Sequence, residues 1–132
     1  MTDRLQRIEK FANETPLANW LGFKVENNEA TVFTLTFQEA HIGNPAIRAL
    51  HGGVIASFLE LAMQADLVGE TGGGVSTVNI SIDYLSSSRP QNMTARVKRL
   101  KEGRRIAFME AEGWQADGTR LVAVARACFK LG

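Results

Sequence analysis

The chain has 132 residues, of which 45% are hydrophobic and 22% charged, enough for one globular domain over 1–132 with a real apolar core and too little for two. Its 15 Lys and Arg nearly balance 14 Asp and Glu, and the formal charge of +1 argues against a nucleic-acid partner. A single cysteine excludes an internal disulfide framework, and two histidines without a Cys/His cluster speak against a metal site.

The first residues, Met-Thr-Asp-Arg-Leu-Gln-Arg, lack the apolar core of a signal peptide, and no run approaches membrane-spanning length. A cytoplasmic protein with no membrane partner is the expectation. From Thr2 to about Asn13, Leu5, Ile8, Phe11 and Ala12 recur at helical spacing, with Thr2 or Asp3 able to cap the start. Pro16 follows the end of that helix, and Leu17, Trp20 and Leu21 form an apolar patch suited to core packing or to a ligand entrance. Gly22–Glu26 and Ala30–Phe37 read as two strands joined by a turn at Asn27-Asn28-Glu29. An irregular segment then runs from Gln38 to Leu50, with Gly43, Asn44 and Pro45 as turn residues and His41 as a loop residue.

The stretch His51–Val68 predicts a central helix that is buried on most sides, because Val54, Ile55, Phe58, Leu59, Leu61, Ala62, Met63, Ala65 and Leu67 leave no wide polar face. Ser57, Glu60 and Gln64 interrupt it at spacings of three and four, which sets them in one narrow stripe. A carboxylate such as Glu60 on a buried helix needs a partner, a proton or a chemical use; alternatively the stripe is simply where the helix meets solvent. Gly52 and Gly53 open the helix and let a ligand approach first-turn amides that lack intrahelical partners, an arrangement suited to a developing oxyanion. The same glycines also suit a tight turn or close packing. Roughly 12 Å of helix rise separates Gly52 from Glu60, too far for both to serve one carbonyl within one chain. A site using both would be shared by two subunits.

After a Gly72-Gly73-Gly74 connection, Val78, Ile80, Ile82 and Tyr84 alternate with Asn79, Ser81 and Asp83 as a strand, broken by Ser86–Pro90. Further strands follow at Met93–Leu100, Ile106–Gln115 and Arg120–Leu131, with turns at Glu102-Gly103 and Ala116–Gly118. The last strand is nearly all apolar and is expected inside the sheet. One antiparallel sheet curled around one long helix, an α+β arrangement, satisfies this order.

His51-Gly52-Gly53 followed by Glu60, then Thr77-Val78-Asn79-Ile80-Ser81-Ile82-Asp83-Tyr84-Leu85, resembles the hotdog-fold acyl-CoA thioesterases, nearest the phenylacetate-degradation and 4-hydroxybenzoyl-CoA types. The resemblance spans nearly the whole chain. It implies hydrolysis of an acyl-CoA thioester by a homodimer, further paired as a dimer of dimers, with no cofactor because coenzyme A is part of the substrate. The Gly52 N–H would polarise the carbonyl, and Glu60 of the facing subunit would be nucleophile or general base. Thr77 would lie near the acidic residue and help place water. Family members commonly carry Asn or Gln six residues before the His-Gly-Gly histidine; here that position is Pro45, and Asn44 beside it would substitute through a shifted loop. His51, Gly53, Ser57, Gln64 and Arg89 complete the substrate-binding set, Arg89 as a cation for the coenzyme A phosphates. A non-catalytic acyl-CoA-binding protein is the main alternative, followed by a hydratase or dehydratase, for which a His and Asp pair would be needed.

No Gly-x-Ser-x-Gly elbow supports a Ser-His-Asp triad, and His51 is expected to orient the helix start. Cys128 is expected to be a buried core thiol.

Overall fold

The computed structural model of the chain describes residues 3–26, 29 and 31–132. The expected cap at Thr2, the turn residues Asn27 and Asn28, and Ala30 at the expected start of the second strand lie outside the described residues. The first amphipathic run forms helix α1 (Asp3–Glu14), with Ile8 buried and Leu5, Phe11 and Ala12 packed against the core. Pro16 follows the end of that helix, as expected, and also opens a second one, α2 (Pro16–Leu21). Its fixed φ and missing N–H are tolerated in a first helical turn. Gly22 ends α2 with a left-handed φ of 64°.

Strands β1 (Phe23–Val25) and β2 (Val32–Leu35) are shorter than their apolar runs. The segment expected to be irregular contains a 3-10 turn at Glu39–His41 and a small hairpin, β3 (Ile42–Asn44) and β4 (Ala49–Leu50). His41, expected as a loop residue, ends that 3-10 turn and is fully buried. The central helix α3 spans Gly52–Thr71, with His51 as its N-cap, and runs on past Val68 until Gly72 takes a left-handed φ of 84°.

Four long strands follow: β5 (Val75–Tyr84), β6 (Met93–Glu102), β7 (Ile106–Gln115) and β8 (Arg120–Leu131). The six-stranded sheet has the order β1-β2-β6-β7-β8-β5, with every neighbouring pair antiparallel. The apolar last strand lies inside it, between β7 and β5, as its composition predicts. This is the hotdog arrangement, with the sheet wrapped around α3.

Small residues let the sheet close on the helix. Ala95, Ala107, Ala111, Ala123 and Ala125 are fully buried opposite Phe58, Leu59, Ala62 and Met63 of the core. A Cβ at Gly113 would sit 3.3 Å from a Leu59 methyl and 3.0 Å from the Met93 sulfur, so the β7 backbone rests almost directly on α3. Each large α3 side chain buried in this way contributes about 2 kcal/mol. Although α3 is long and apolar enough for a bilayer span, 67% of its most apolar window is buried inside the protein, so the sheet covers it. Cys128 is buried, as expected.

An ionic cluster ties α1, α3 and β6 together. Asp66, 5% exposed, receives hydrogen bonds from Arg4 and from Arg99, the latter through Nε at 2.7 Å and a terminal nitrogen at 3.3 Å. Glu70, one turn on, accepts from the same two arginines at 3.2 and 3.1 Å. The hydrogen bond to Asp66 raises the Arg99 pKa above its already high ordinary value.

Candidate active site

The polar stripe on α3 has a partner on the sheet. Glu60 is half-buried, and its Oε2 accepts a hydrogen bond from Thr77 Oγ1 on β5 at 2.6 Å. Gln64, one turn beyond Glu60, donates from Nε2 to the same hydroxyl at 3.0 Å. Thr77 has one proton to donate, and it goes to the carboxylate, so Gln64 supplies the donor that the hydroxyl oxygen accepts. The chain Gln64–Thr77–Glu60 therefore fixes one carboxylate oxygen, Oε2. Thr77 reaches the helix beside an irregularity in the β5–β8 register between Thr77 and Asn79; such bulges re-aim side chains. Replacing Thr77 by Val keeps the shape but removes a hydrogen bond to an ionisable partner. If this cluster carries a reaction, the substitution is expected to lower kcat about tenfold with little change in KM, measured by steady-state kinetics.

The N-terminal end of α3 is open. His51 is its N-cap, and the His51 carbonyl accepts from Val54 N–H at 3.0 Å and Ile55 N–H at 3.2 Å. The His51 side chain does not cap the first turn, and the Gly52 and Gly53 amides lie at the positive end of a 20-residue helix. Nothing lies within 4 Å of where a Gly53 Cβ would be. At Gly52 a Cβ would meet the Tyr84 hydroxyl at 3.2 Å, and that hydroxyl donates to the Gly52 carbonyl at 2.7 Å. Strand β5 thus touches α3 at two places, through Thr77 at Glu60 near the middle of the helix and through Tyr84 at Gly52 at its start. The His51 ring packs on Gly43, where a Cβ would come within 2.4 Å of Nδ1, and its backbone N–H donates to the His41 carbonyl at 2.8 Å. Both contacts hold the helix start in place.

Of the remaining sequence candidates, Ser57 and Gly53 line one cleft of about 310 Å³ together with Leu17, Trp20, Leu21, His51 and Val54. Asn44 is exposed in the β3–β4 hairpin, where its Oδ1 accepts from Ala46 N–H at 3.1 Å; this bond closes the turn around Pro45 and engages the side-chain acceptor expected to place water. Arg89 lies on an exposed loop whose backbone is clamped by buried Gln115. The Gln115 amide accepts from Arg89 N–H at 2.9 Å and donates to the Arg89 and Gln91 carbonyls at 3.0 and 3.1 Å. A second cleft, near 400 Å³, runs from Gly52 and Ile55 past Tyr84 to Ser86, Ser87 and Ser88, below that loop. The structure brings Glu60, Thr77 and Gln64 together and sets Gly52, Gly53, His51 and Ser57 around the open helix end. Among the described residues no group of three His, Cys, Asp or Glu side chains converges as a metal site would require.

Sequence reasoning missed Tyr84 as a contact of the helix start and Gln115 as the loop clamp. The apolar alternation of β5 places Tyr84 on the same face as Ile80 and Ile82, which was the available signal.

A family profile described as an acyl-CoA thioesterase N-terminal domain matches residues 41–130. A medium/long-chain acyl-CoA thioesterase, YigI of Salmonella typhimurium, is 30% identical over 94% of this chain and 90% of its own. Its Escherichia coli K12 counterpart is 31% identical over 79% and 78%. Among solved structures, a thioesterase superfamily protein superposes with a TM-score of 0.92 at 28% identity, covering 99% of this chain and 100% of the other. Escherichia coli PaaI, from the phenylacetic acid degradation operon, gives 0.85 at 17% identity, covering 98% and 94%, a likeness of fold.

Proposed function

The chain belongs to the acyl-CoA thioesterase family and is an enzyme of that class, and from this premise we propose that it hydrolyses medium- or long-chain acyl-CoA at a site shared by two subunits. The observation that carries the proposal is the hydrogen-bonded chain Gln64–Thr77–Glu60 between the largely buried α3 and β5. In the reaction, Glu60 takes a proton from water as the water oxygen attacks the thioester carbon, or attacks that carbon itself. By the first route the C–S bond breaks, the acyl group leaves as the carboxylic acid, and the coenzyme A thiolate takes the proton that Glu60 accepted; by the second, C–S cleavage leaves the acyl group on Glu60 as a mixed anhydride, which water then hydrolyses to the carboxylic acid and free Glu60, and the thiolate takes up the proton this releases. Negative charge on the carbonyl oxygen is met by the Gly52 N–H of the facing subunit. The reaction so drawn uses no metal or redox cofactor, and coenzyme A enters as part of the substrate.

Two features support the shared site. Roughly 12 Å of rise separates Gly52 from Glu60 on one helix. Strand β5, which contacts both Gly52 and Glu60, is an edge of the sheet and therefore presents a row of backbone donors and acceptors to a further strand. Antiparallel pairing of two copies of β5 around Ser81 would set the Tyr84–Gly52 end of one copy against the Thr77–Glu60 end of the other. Arg89 is the cation we assign to the coenzyme A phosphates, and we place the enzyme in the cytoplasm as a dimer, with dimers pairing again.

Free-thiol release from short, medium, long and arylacetyl CoA esters tests the proposal. Turnover greatest on medium or long chains is the expected result. Tight binding of acyl-CoA without turnover on any ester would contradict it and favour an acyl-CoA-binding protein.

A further inference from the structure

Trp20 is mounted more firmly than a half-exposed surface indole requires. Its carbonyl accepts from Gln38 Nε2 at 2.6 Å and from His41 Nε2 at 3.1 Å, and its ring meets the His41 ring edge-on at 4.7 Å and 73°. The partner ring is itself locked. His41 is fully buried, and its Nδ1 accepts from the Gln38 N–H at 3.2 Å. A backbone N–H can only donate and a carbonyl can only accept, so the imidazole is held as the Nε2–H tautomer. Buried His41 thus has a use, which is to brace Trp20.

The braced indole is 42% exposed and forms one wall of the cleft containing Leu17, Leu21, Val54, Gly53 and Ser57. The opposite wall is the α3 face that leads from open Gly53 through Ser57 to Glu60 in steps of one helical turn. Among the described residues this lining carries no carboxylate, lysine or arginine; its walls are leucine, valine and indole, with His51 and Ser57 as its polar members. Such a lining suits an alkyl chain rather than a nucleotide. Continuity with the Glu60 stripe makes the tail of the substrate its occupant.

We propose that Trp20 is a specificity-determining residue: its braced ring closes the acyl cleft and sets the longest chain the enzyme accepts efficiently. The inference rests on the thioesterase reading above and adds the element that measures the chain. Apolar pockets discriminate modestly between neighbouring chain lengths, so truncating the wall should redistribute preference rather than create or abolish activity.

The test compares wild type, Trp20→Ala, Trp20→Phe and Glu60→Gln on a ladder of saturated acyl-CoAs plus an arylacetyl-CoA. Thermal melting confirms folding, and affinities for non-hydrolysable thioether analogues are measured in parallel. Trp20→Ala is expected to raise the long-to-medium ratio of kcat/KM about tenfold, with Trp20→Phe between it and wild type. The affinity ladder should shift in the same sense. An unchanged ratio in both variants, with every chain length scaled equally, would overturn the role of Trp20 while leaving the thioesterase reading intact. A response confined to the arylacetyl ester would overturn the alkyl assignment. Should Glu60→Gln keep wild-type turnover, the catalytic assignment falls, and the two ladders still decide the role of Trp20. Phe at this position retains an aromatic ring against His41, so a Trp20→Ala variant that fails to fold leaves Trp20→Phe to decide the outcome.

Discussion

Glu60→Gln is expected to lower kcat for acyl-CoA hydrolysis by about a thousandfold, with KM close to wild type, in the range that loss of a general base produces. The substitution is nearly isosteric. The carbonyl oxygen of the introduced amide can still accept the Thr77 hydroxyl, which now bonds Glu60 at 2.6 Å, and the bond from Gln64 to Thr77 is untouched. What disappears is the ability to take a proton from water or to attack the thioester. In the proposed reaction the substrate is held by the clefts and the helix start, which the variant leaves in place, so the effect should fall on kcat. Melting temperature should change little or rise, because a neutral amide costs less to bury than a carboxylate. Wild-type kcat in a folded Glu60→Gln protein would remove Glu60 from the chemistry.

Asp66→Ala is expected to cost about 3–5 kcal/mol of stability, the range for removing one member of a buried ion pair. Asp66 is buried, and its carboxylate is the acceptor that Arg4 and Arg99 share. These arginines arrive from α1 and β6, so the variant loosens a helix and a strand from α3 together. Their side chains are only 19% and 31% exposed, so water replaces the lost partner poorly. Glu70 still accepts from both arginines, which sets the loss below that of two isolated charges. Urea unfolding at matched protein concentration measures it, since assembly adds a concentration-dependent term. A loss below about 1 kcal/mol would place the cluster with ordinary surface pairs.

Contrast between Glu60 and Asp66 explains what the sequence can reveal. Glu60 stands out because Ser57 and Gln64 flank it at helical spacing, a pattern local to eight residues of chain. Asp66 lies on the same helix, but its partners are 62 and 33 residues away, and no local pattern announces them. Distance in the chain hides His41 in the same way, since its burial depends on Trp20, 21 residues earlier. The apolar run of α3, the alternation of β5 and the apolar last strand were legible because periodicity and burial are properties of each segment alone. Pro16 shows the opposite case, because proline both breaks a helix and starts one, and the sequence does not separate a helix end from an interhelical corner. The short β3–β4 hairpin also escaped, since strands of three and two residues carry too little periodicity to register.

The measurement that tests the central claim most directly mixes two inactive subunits. One carries Glu60→Gln and the other Gly52→Pro, which deletes the amide assigned to the oxyanion. Proline is tolerated at the first helical position, and His51, with φ −53° and ψ 135°, already has the extended backbone required before a proline. Each variant alone should be inactive. Unfolded and refolded together, or co-expressed, they should recover about a quarter of wild-type thiol release, because half of randomly paired dimers are mixed and each mixed dimer holds one intact site. A mixture that stays inactive while forming mixed dimers would contradict a site built from Glu60 of one subunit and Gly52 of the other.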